Sequence, residues 1–300
     1  MCLKIEKINE MALKCPQKFV EECENKFNSE IKKTVDYIIK NDIKYIFVSG
    51  PSSSGKTTFS KKFAHYIGKY KHIDISLDDY YKEFSVMPLK RNGEYNFESV
   101  NSLRLDIIRK DFKKLINGEE VSLPLVDFET GKRVEDNEKI RLDNETLVVI
   151  EGLHALNKKI LSIFKEEKIF KIFICPVPDV TINNSKLSRY DLRFTRRMVR
   201  DNNYRNSDAK NSLKMWKTVR DGEKIYMDGY RKNADKVINT FLPYEPCILK
   251  KEALPLLESV NNESKYFNKA LRLKRIFEKF ETIDYNYVPE NSLLNEFIKK

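Results

Sequence analysis

In the first forty residues Val35, Ile38 and Ile39 follow Ile31 at helical spacing, with charged positions between them. That period puts one apolar stripe on a helix, so residues 1–40 are expected to form a helical lead that packs and does no chemistry. From Lys44 the pattern changes to short β-branched or aromatic runs at 45–48, 73–75, 147–150, 170–174 and 237–238, separated by helical stretches. Such alternation predicts an α/β fold, a parallel sheet covered by helices on both faces. Residues 93–142 read differently: a helix over 100–116, then extended pieces at 121–128 and 139–142 around a Thr130-Gly131 turn. This stretch is expected to be an inserted flap on the substrate side. After Pro246 helical spacing returns at 256–260 and 270–280, and the chain is expected to close with a polar tail. The organisation predicted is a lead over 1–40, one α/β domain over 41–250 and a helical extension over 251–300, without internal repeats or a Gly/Ser linker.

The sharpest local signal is Gly50-Pro51-Ser52-Ser53-Ser54-Gly55-Lys56-Thr57-Thr58, which fits GxxxxGK[ST] between a predicted strand and a predicted helix. Gly50 and Gly55 permit backbone angles that turn successive N–H groups inward, and the positive end of the following helix adds to them, so the loop can surround a polyphosphate. Lys56 then answers the β- and γ-phosphates of ATP, and the Thr57 hydroxyl is placed for Mg²⁺. The next strand ends in Asp78-Asp79-Tyr80-Tyr81. A carboxylate at that edge lies where ligands of open α/β sheets bind, and one of the pair can take the proton of an attacking hydroxyl. The strand over 147–150 runs into Glu151, a second acid suited to the metal shell. Arg193, Arg196, Arg197, Arg200 and Arg205 crowd one helical segment, the first four on a single face. Guanidinium groups packed together repel unless an anion compensates, so the segment 190–210 is expected to be a lid that closes over the transferring phosphoryl group, with Asp191 and Asp201 as partial counter-charges.

Composition narrows the setting without changing that picture. The net charge of +11 comes from Lys residues spread along 300 positions and interleaved with Asp and Glu. It describes a solvated surface better than a nucleic-acid face. Five scattered cysteines with no CxxC pair argue against disulfides and zinc and suit a reducing cytoplasm. No apolar run approaches the ~20 residues of a membrane helix, and the mixed charges of the N-terminus do not look like a secretory signal. The three histidines (His65, His72, His154) stand apart, which suits core or surface roles, and Trp216 is expected in the core.

Taken in order, the phosphate loop, Ser76-Leu77-Asp78-Asp79-Tyr80-Tyr81, Asn96-Phe97-Glu98, Pro124-Leu125-Val126-Asp127-Phe128, the Glu151 strand and the Arg-rich lid resemble the uridine kinase and phosphoribulokinase family over about residues 41–250. Met215-Trp216-Lys217-Thr218-Val219-Arg220-Asp221-Gly222-Glu223 and Leu242-Pro243-Tyr244-Glu245 look most like a bacterial branch usually called uridine kinase or nucleoside kinase. In longer members of that branch a domain similar to part of threonyl-tRNA synthetase precedes the kinase; here the helical lead stands in its place.

The resemblance implies a P-loop NTPase with a five-stranded parallel sheet of the nucleoside monophosphate kinase type, and phosphoryl transfer from Mg-ATP to the 5'-hydroxyl of a nucleoside, uridine or cytidine. It implies Asp78 as the base and Glu98 in place of a family Asp that holds ribose hydroxyls. Tyr81 joins the substrate side, Arg197, Arg200 and Arg205 fall on lid arginines that contact phosphates and substrate, and Phe128 and Arg133 fall on the flap. The flap Tyr and His that meet a pyrimidine base in the family are matched by Val126 and Gly131, and a lid arginine that faces the nucleoside is matched by Ser207. Two other readings follow: a phosphoribulokinase-like kinase of another small sugar or alcohol, for which Lys132 and Arg133 offer a modest cationic pair, and an ATP-binding switch or RNA-associated protein. Self-association is left open by the sequence.

Overall fold

The computed structural model describes residues 3–299 apart from 69, 92, 128–131, 135–138, 144, 179, 183, 184 and 228. Two helices open the chain, α1 (Ile5–Lys14) and α2 (Pro16–Lys40), the second started by a proline whose missing N–H costs nothing in a first turn. The strand β1 (Tyr45–Ser49) leads through the phosphate loop into α3 (Lys56–Ile67), followed by β2 (His72–Ser76), α4 (Leu105–Ile116), β3 (Leu147–Glu151) and β4 (Ile169–Cys175). The lid helix α5 (Arg189–Arg205), α6 (Ala209–Tyr226), β5 (Lys236–Asn239), α7 (Glu245–Glu258) and α8 (Phe267–Phe277) complete the frame.

All five runs singled out by their β-branched and aromatic content are strands of one parallel sheet, in the order β5-β4-β1-β3-β2. The sheet separates two cores by simple alternation. Along β1, Ile46 and Val48 face α2, α3 and the C-terminal helices, while Tyr45 and Phe47 face α4 and Phe164. Because β1 is central, its carboxyl end, and with it the phosphate loop, stands in the middle of the sheet edge, where a crevice opens between neighbouring crossovers.

The lead packs, as its periodicity predicts: Ile31, Val35 and Ile38 are buried in the same core as α7 and α8. Its one buried acid, Glu24, sits 3.5 Å from the Lys62 ammonium and accepts from the Tyr244 hydroxyl at 2.7 Å, tying α2 to α3 and to the turn before α7. Trp216 is buried, and so is His154, whose imidazole burial pushes down to about 4 and so holds neutral.

Three expectations are corrected. The helix over 100–116 begins only at Leu105, because Arg104 N–H bonds the Tyr80 carbonyl and Lys82 N–H bonds the Ser102 carbonyl, holding the chain extended before it. A strand absent from the sequence reading, Leu3–Lys4, pairs with Val180–Ile182, which in turn pairs with Ser185–Leu187. The tail is not a polar appendage: Leu293, Leu294, Phe297 and Ile298 are buried, and residues 293–296 form a short 3-10 turn against the start of α3. In the flap, Val121–Ser122 pairs with Lys139–Ile140 and Leu125–Asp127 with Lys132–Val134, both antiparallel. Phe128 and the Thr130-Gly131 turn lie outside the described residues, and of Val126 and Arg133 only the backbone is described.

Candidate active site

The phosphate loop is held open by backbone angles that few residues tolerate. Ser53 and Gly55 have φ of 57° and 91°, the left-handed region in which consecutive N–H groups can converge on an anion. At Gly50 a Cβ would stand 2.4 Å from the Ile174 carbonyl, and at Gly55 it would stand 2.4 Å from the Leu293 side chain, so Gly50 is required by a close backbone neighbour and Gly55 by its left-handed φ as well as by a neighbour. The hydroxyls of Ser53 and Ser54 are buried without a hydrogen-bond partner, and Lys56 Nζ donates to the Gly50 carbonyl at 3.1 Å. Unsatisfied buried donors around a lysine are the arrangement a polyphosphate completes.

A cavity of about 350 Å³ opens over this loop, within the range of small-molecule sites. It brings together Ser52, Ser53, Ser54, Gly55, Lys56 and Thr57 from the loop, Asp78 and Tyr81 from the end of β2, Glu98, Glu151 from the end of β3, and Arg200 and Arg205 from the lid helix. Of the adjacent carboxylates only Asp78 lines it; its N–H bonds the Ser76 hydroxyl at 3.3 Å, which fixes the turn that presents it. Burial raises the Asp78 carboxyl, against the pull of Lys56 and Arg205, the combination that gives a carboxylate strength as a base. Glu151 is likewise raised by burial, opposed by Lys56, and accepts from the Ser76 hydroxyl at 2.9 Å. Thr57 and Glu151 line the same cavity, and one hydroxyl with one carboxylate suits Mg²⁺, which fills its shell with phosphate oxygens and water. Among the described residues no three His, Cys, Asp or Glu gather into a protein-only cage.

Glu98 lines the same cavity with Tyr81 and Phe97. Burial, with Glu223 adding to it and Arg197 opposing it, pushes its carboxyl up to about 7. Gly222 makes room for it: a Cβ there would lie 2.4 Å from the Glu98 side chain, which explains a glycine inside α6. The Tyr81 hydroxyl donates to the Phe97 carbonyl at 2.8 Å, and Phe84, Met87 and Phe97 give this end an apolar wall.

The remaining predicted residues stand around the cavity. Thr58 donates to Glu296 at 3.2 Å, and Pro51 faces a neighbouring cleft. Arg197 donates to the Ser52 hydroxyl at 3.0 Å. Phe128 and Arg133 cannot be added to the site, since the side chains there lie outside the described residues.

The lid arginines divide in a way their common face did not announce. Arg193 pairs with Glu223 of α6 and donates to the Ser52 carbonyl at 2.9 Å. Arg196, fully buried, pairs with Glu245 of α7 and donates to the Thr240 carbonyl at 2.8 Å. For these two the compensating anion is a protein carboxylate, which corrects the expectation that all four answer a phosphoryl group. Arg197, Arg200 and Arg205 share the one carboxylate of Asp201 at 3.2, 2.7 and 3.6 Å, a set that leaves positive charge over for a second anion.

Besides Lys82, Phe84, Met87 and Leu153 of the cavity wall, the sequence reading missed two residues of the tail, Leu293, packed on Gly55, and Glu296, which lines the cavity. No motif marks them, and only the folding of the tail onto α3 brings them in.

The model of the "Phosphoribulokinase / Uridine kinase family" matches residues 45–243. The chain is 28% identical over 156 residues to "Uridine kinase" of Chloroflexus aurantiacus, covering 52% of this chain and 66% of that protein, slightly under two thirds. It is 29% identical over 202 residues to "Uridine kinase" of Borrelia duttonii, covering 65% of this chain and 86% of that protein. A solved structure of a "Possible Uridine Kinase" from Bacillus stearothermophilus aligns with a TM-score of 0.44 and 17% identity, over 70% of this chain and all of that one. With its phosphate loop, five-stranded parallel sheet and matched span, the chain belongs to the phosphoribulokinase/uridine kinase family.

Proposed function

We propose that the chain transfers the γ-phosphoryl group of ATP to the 5'-hydroxyl of a nucleoside, with uridine, then cytidine, as the first acceptors to try. The observation that carries this reading is the meeting of Asp78 with Lys56, Thr57 and two lid arginines in one cavity. The amides of residues 52–57 and Lys56 hold the β- and γ-phosphates in place, and Mg²⁺ bound with ATP at Thr57 and Glu151 supplies further charge neutralisation. Asp78 takes the proton of the acceptor hydroxyl as its oxygen bonds the γ-phosphorus and the bond to the β–γ bridging oxygen breaks, releasing ADP. Arg200 and Arg205 balance the charge on the transferring group, and Arg197 orients Ser52 and faces Glu98. Glu98 accepts the ribose hydroxyls once ionised, and Phe84 and Phe97 pack on the acceptor. The relatives named as uridine kinases support the choice of acceptor.

A second reading, a phosphorylated sugar as acceptor, draws on Lys82, which lines the same cavity beside Tyr81. A screen of nucleosides and sugar phosphates by ADP release separates the two, and release with sugar phosphates alone rejects the nucleoside. Asp78→Asn should keep ATP binding while turnover drops about 10²- to 10⁴-fold; undiminished turnover would remove Asp78 from the role of base.

A further inference from the structure

A second cleft, of about 500 Å³, opens at the N-terminal end of α5, whose C-terminal half lines the cavity over the phosphate loop. Its walls are the first turn of α5, the last turns of α6 and the short helix Tyr230–Asn233, and Pro51 of the phosphate loop lies in its floor with Phe173 and Cys175. Six cationic side chains line it, Arg189, Arg193, Arg220, Lys224, Arg231 and Lys232, against the single carboxylate of Glu223. That carboxylate is already spent: it is buried, and Arg193 and Arg220 both pair with it. Arg189, Lys224, Arg231 and Lys232 have no carboxylate within ion-pair distance among the described residues.

The contrast with the rest of this end of the molecule is instructive. Arg193, Arg196, Arg197, Arg200, Arg205 and Arg272 each meet a carboxylate of the chain. A concave surface with four cations that meet no carboxylate among the described residues raises the local concentration of anions, and a guanidinium fork matches two oxygens of one phosphate group, a pairing that a halide does not offer. Tyr190 adds a flat surface at the rim, with Arg220 stacked on it at 3.6 Å and Arg189 at 5.0 Å. The positive field reaches the floor: burial raises the Cys175 thiol, and Arg231, Arg189 and Arg193 pull it the other way. A cleft of this size holds a nucleotide and is too confined for a duplex.

We infer that this cleft is a second binding site, for a phosphorylated small molecule of nucleotide size, separate from the ATP and acceptor cavity. Its occupant would sit against Pro51 and beside the Arg193–Glu223 pair, which also touches the Ser52 carbonyl. It therefore has a direct structural route to the phosphate loop.

The test is calorimetric titration at about 50 mM salt of protein whose ATP cavity is first saturated with Mg²⁺ and a β,γ-imido analogue of ATP. The probes are pyrophosphate, uridine 5'-monophosphate and sulfate, with uridine titrated alongside to count any binding at the acceptor position of the first cavity. The expected result is a further site for the two phosphorylated probes, weakened at least tenfold in Arg231→Ser/Lys232→Ser, with the affinity for the imido analogue unchanged. Arg189→Ser, on a different element, should repeat the loss and guards against a folding defect in the double variant. Any of three results overturns the inference: no binding beyond the first site, equal affinity in wild type and variants, or sulfate binding as tightly as pyrophosphate. Tight binding of a single-stranded oligonucleotide that both variants abolish, with no response to the small probes, would assign the cations to nucleic acid instead. Because Arg189, Arg231 and Lys232 line the second cleft and not the cavity over the phosphate loop, binding that their substitution weakens is distinguished from binding at the acceptor position, whichever alcohol the kinase phosphorylates.

Discussion

In the first half of α5, Arg193 and Arg196 lie inside the protein, each against a carboxylate delivered by another helix, and both reach back to carbonyls of the phosphate loop or the loop after β5. Their neighbours Arg197, Arg200 and Arg205 divide a single carboxylate among three guanidiniums, and two of them line the cavity over the phosphate loop. The same residue type on one helix thus meets two conditions. Where a guanidinium is desolvated against a carboxylate of another helix, it holds helices and loop in register; where cations outnumber carboxylates at a cavity, they keep an anion-binding capacity in reserve. The difference teaches that the sign of charge on a helix face says little until the opposing elements are known.

The largest expected effect tests the inner half. Arg196→Met leaves Glu245 buried without its partner and should cost about 3–5 kcal/mol of stability in urea unfolding, while Arg196→Met/Glu245→Leu should recover most of it. If the single variant were as stable as wild type, the structural reading of this pair would fall. Next comes the outer half: Arg200→Met should lower turnover about 10²- to 10³-fold yet shift stability by no more than about 1 kcal/mol. Equal losses in stability and turnover would erase the distinction between the halves.

The smallest effect sharpens the boundary between them, because Glu98 feels both: Glu223, partner of Arg193, raises its carboxyl, and Arg197 lowers it. With the folded value at about 7 and the ordinary value at 4.5, the folded state holds a proton that the unfolded state has lost. Stability from this group is therefore greatest near pH 4.5, falls as pH rises to about 7 and is level above it. Over the same window the acceptor KM should fall as Glu98 ionises, by a few-fold at most. Glu98→Gln should flatten both profiles, and Arg197→Met should move the KM inflection to higher pH; a wild-type KM that ignores pH between 6 and 8 would remove Glu98 from acceptor binding.

How much of this was legible beforehand follows the range of the interactions. The five strands and the phosphate loop are local signals: the β-branched runs and GxxxxGK[ST] act over a few residues, and each appears where its pattern places it. Asp78 was half legible, since the Asp78-Asp79 pair marks the strand end and only the turn fixed by Ser76 selects which of the two faces the cavity. The lid was legible as a helix and misread as a set of four equivalent arginines, because Glu223 and Glu245 lie 30 and 49 positions away. Gly222 was legible only as one residue of the segment 215–223; that it makes room for Glu98 is a contact across 124 positions that no local pattern shows. The tail read as polar because Leu293, Leu294, Phe297 and Ile298 are separated by Asn295 and Glu296 and followed by lysines, a pattern too short to show periodicity.

That tail sets an order of events in the life of the chain. The hydroxyl of Thr58 and the carboxylate of Glu296 that it meets are 238 positions apart, so at ~5–20 residues per second of synthesis the phosphate loop waits on the order of ten seconds or more for one of its walls. Until then Gly55 faces solvent where Leu293 will pack, and the loop is bare on that side. A nascent or C-terminally clipped chain would carry an intact GxxxxGK[ST] without the cavity built over it, so the motif is made early and the binding site late.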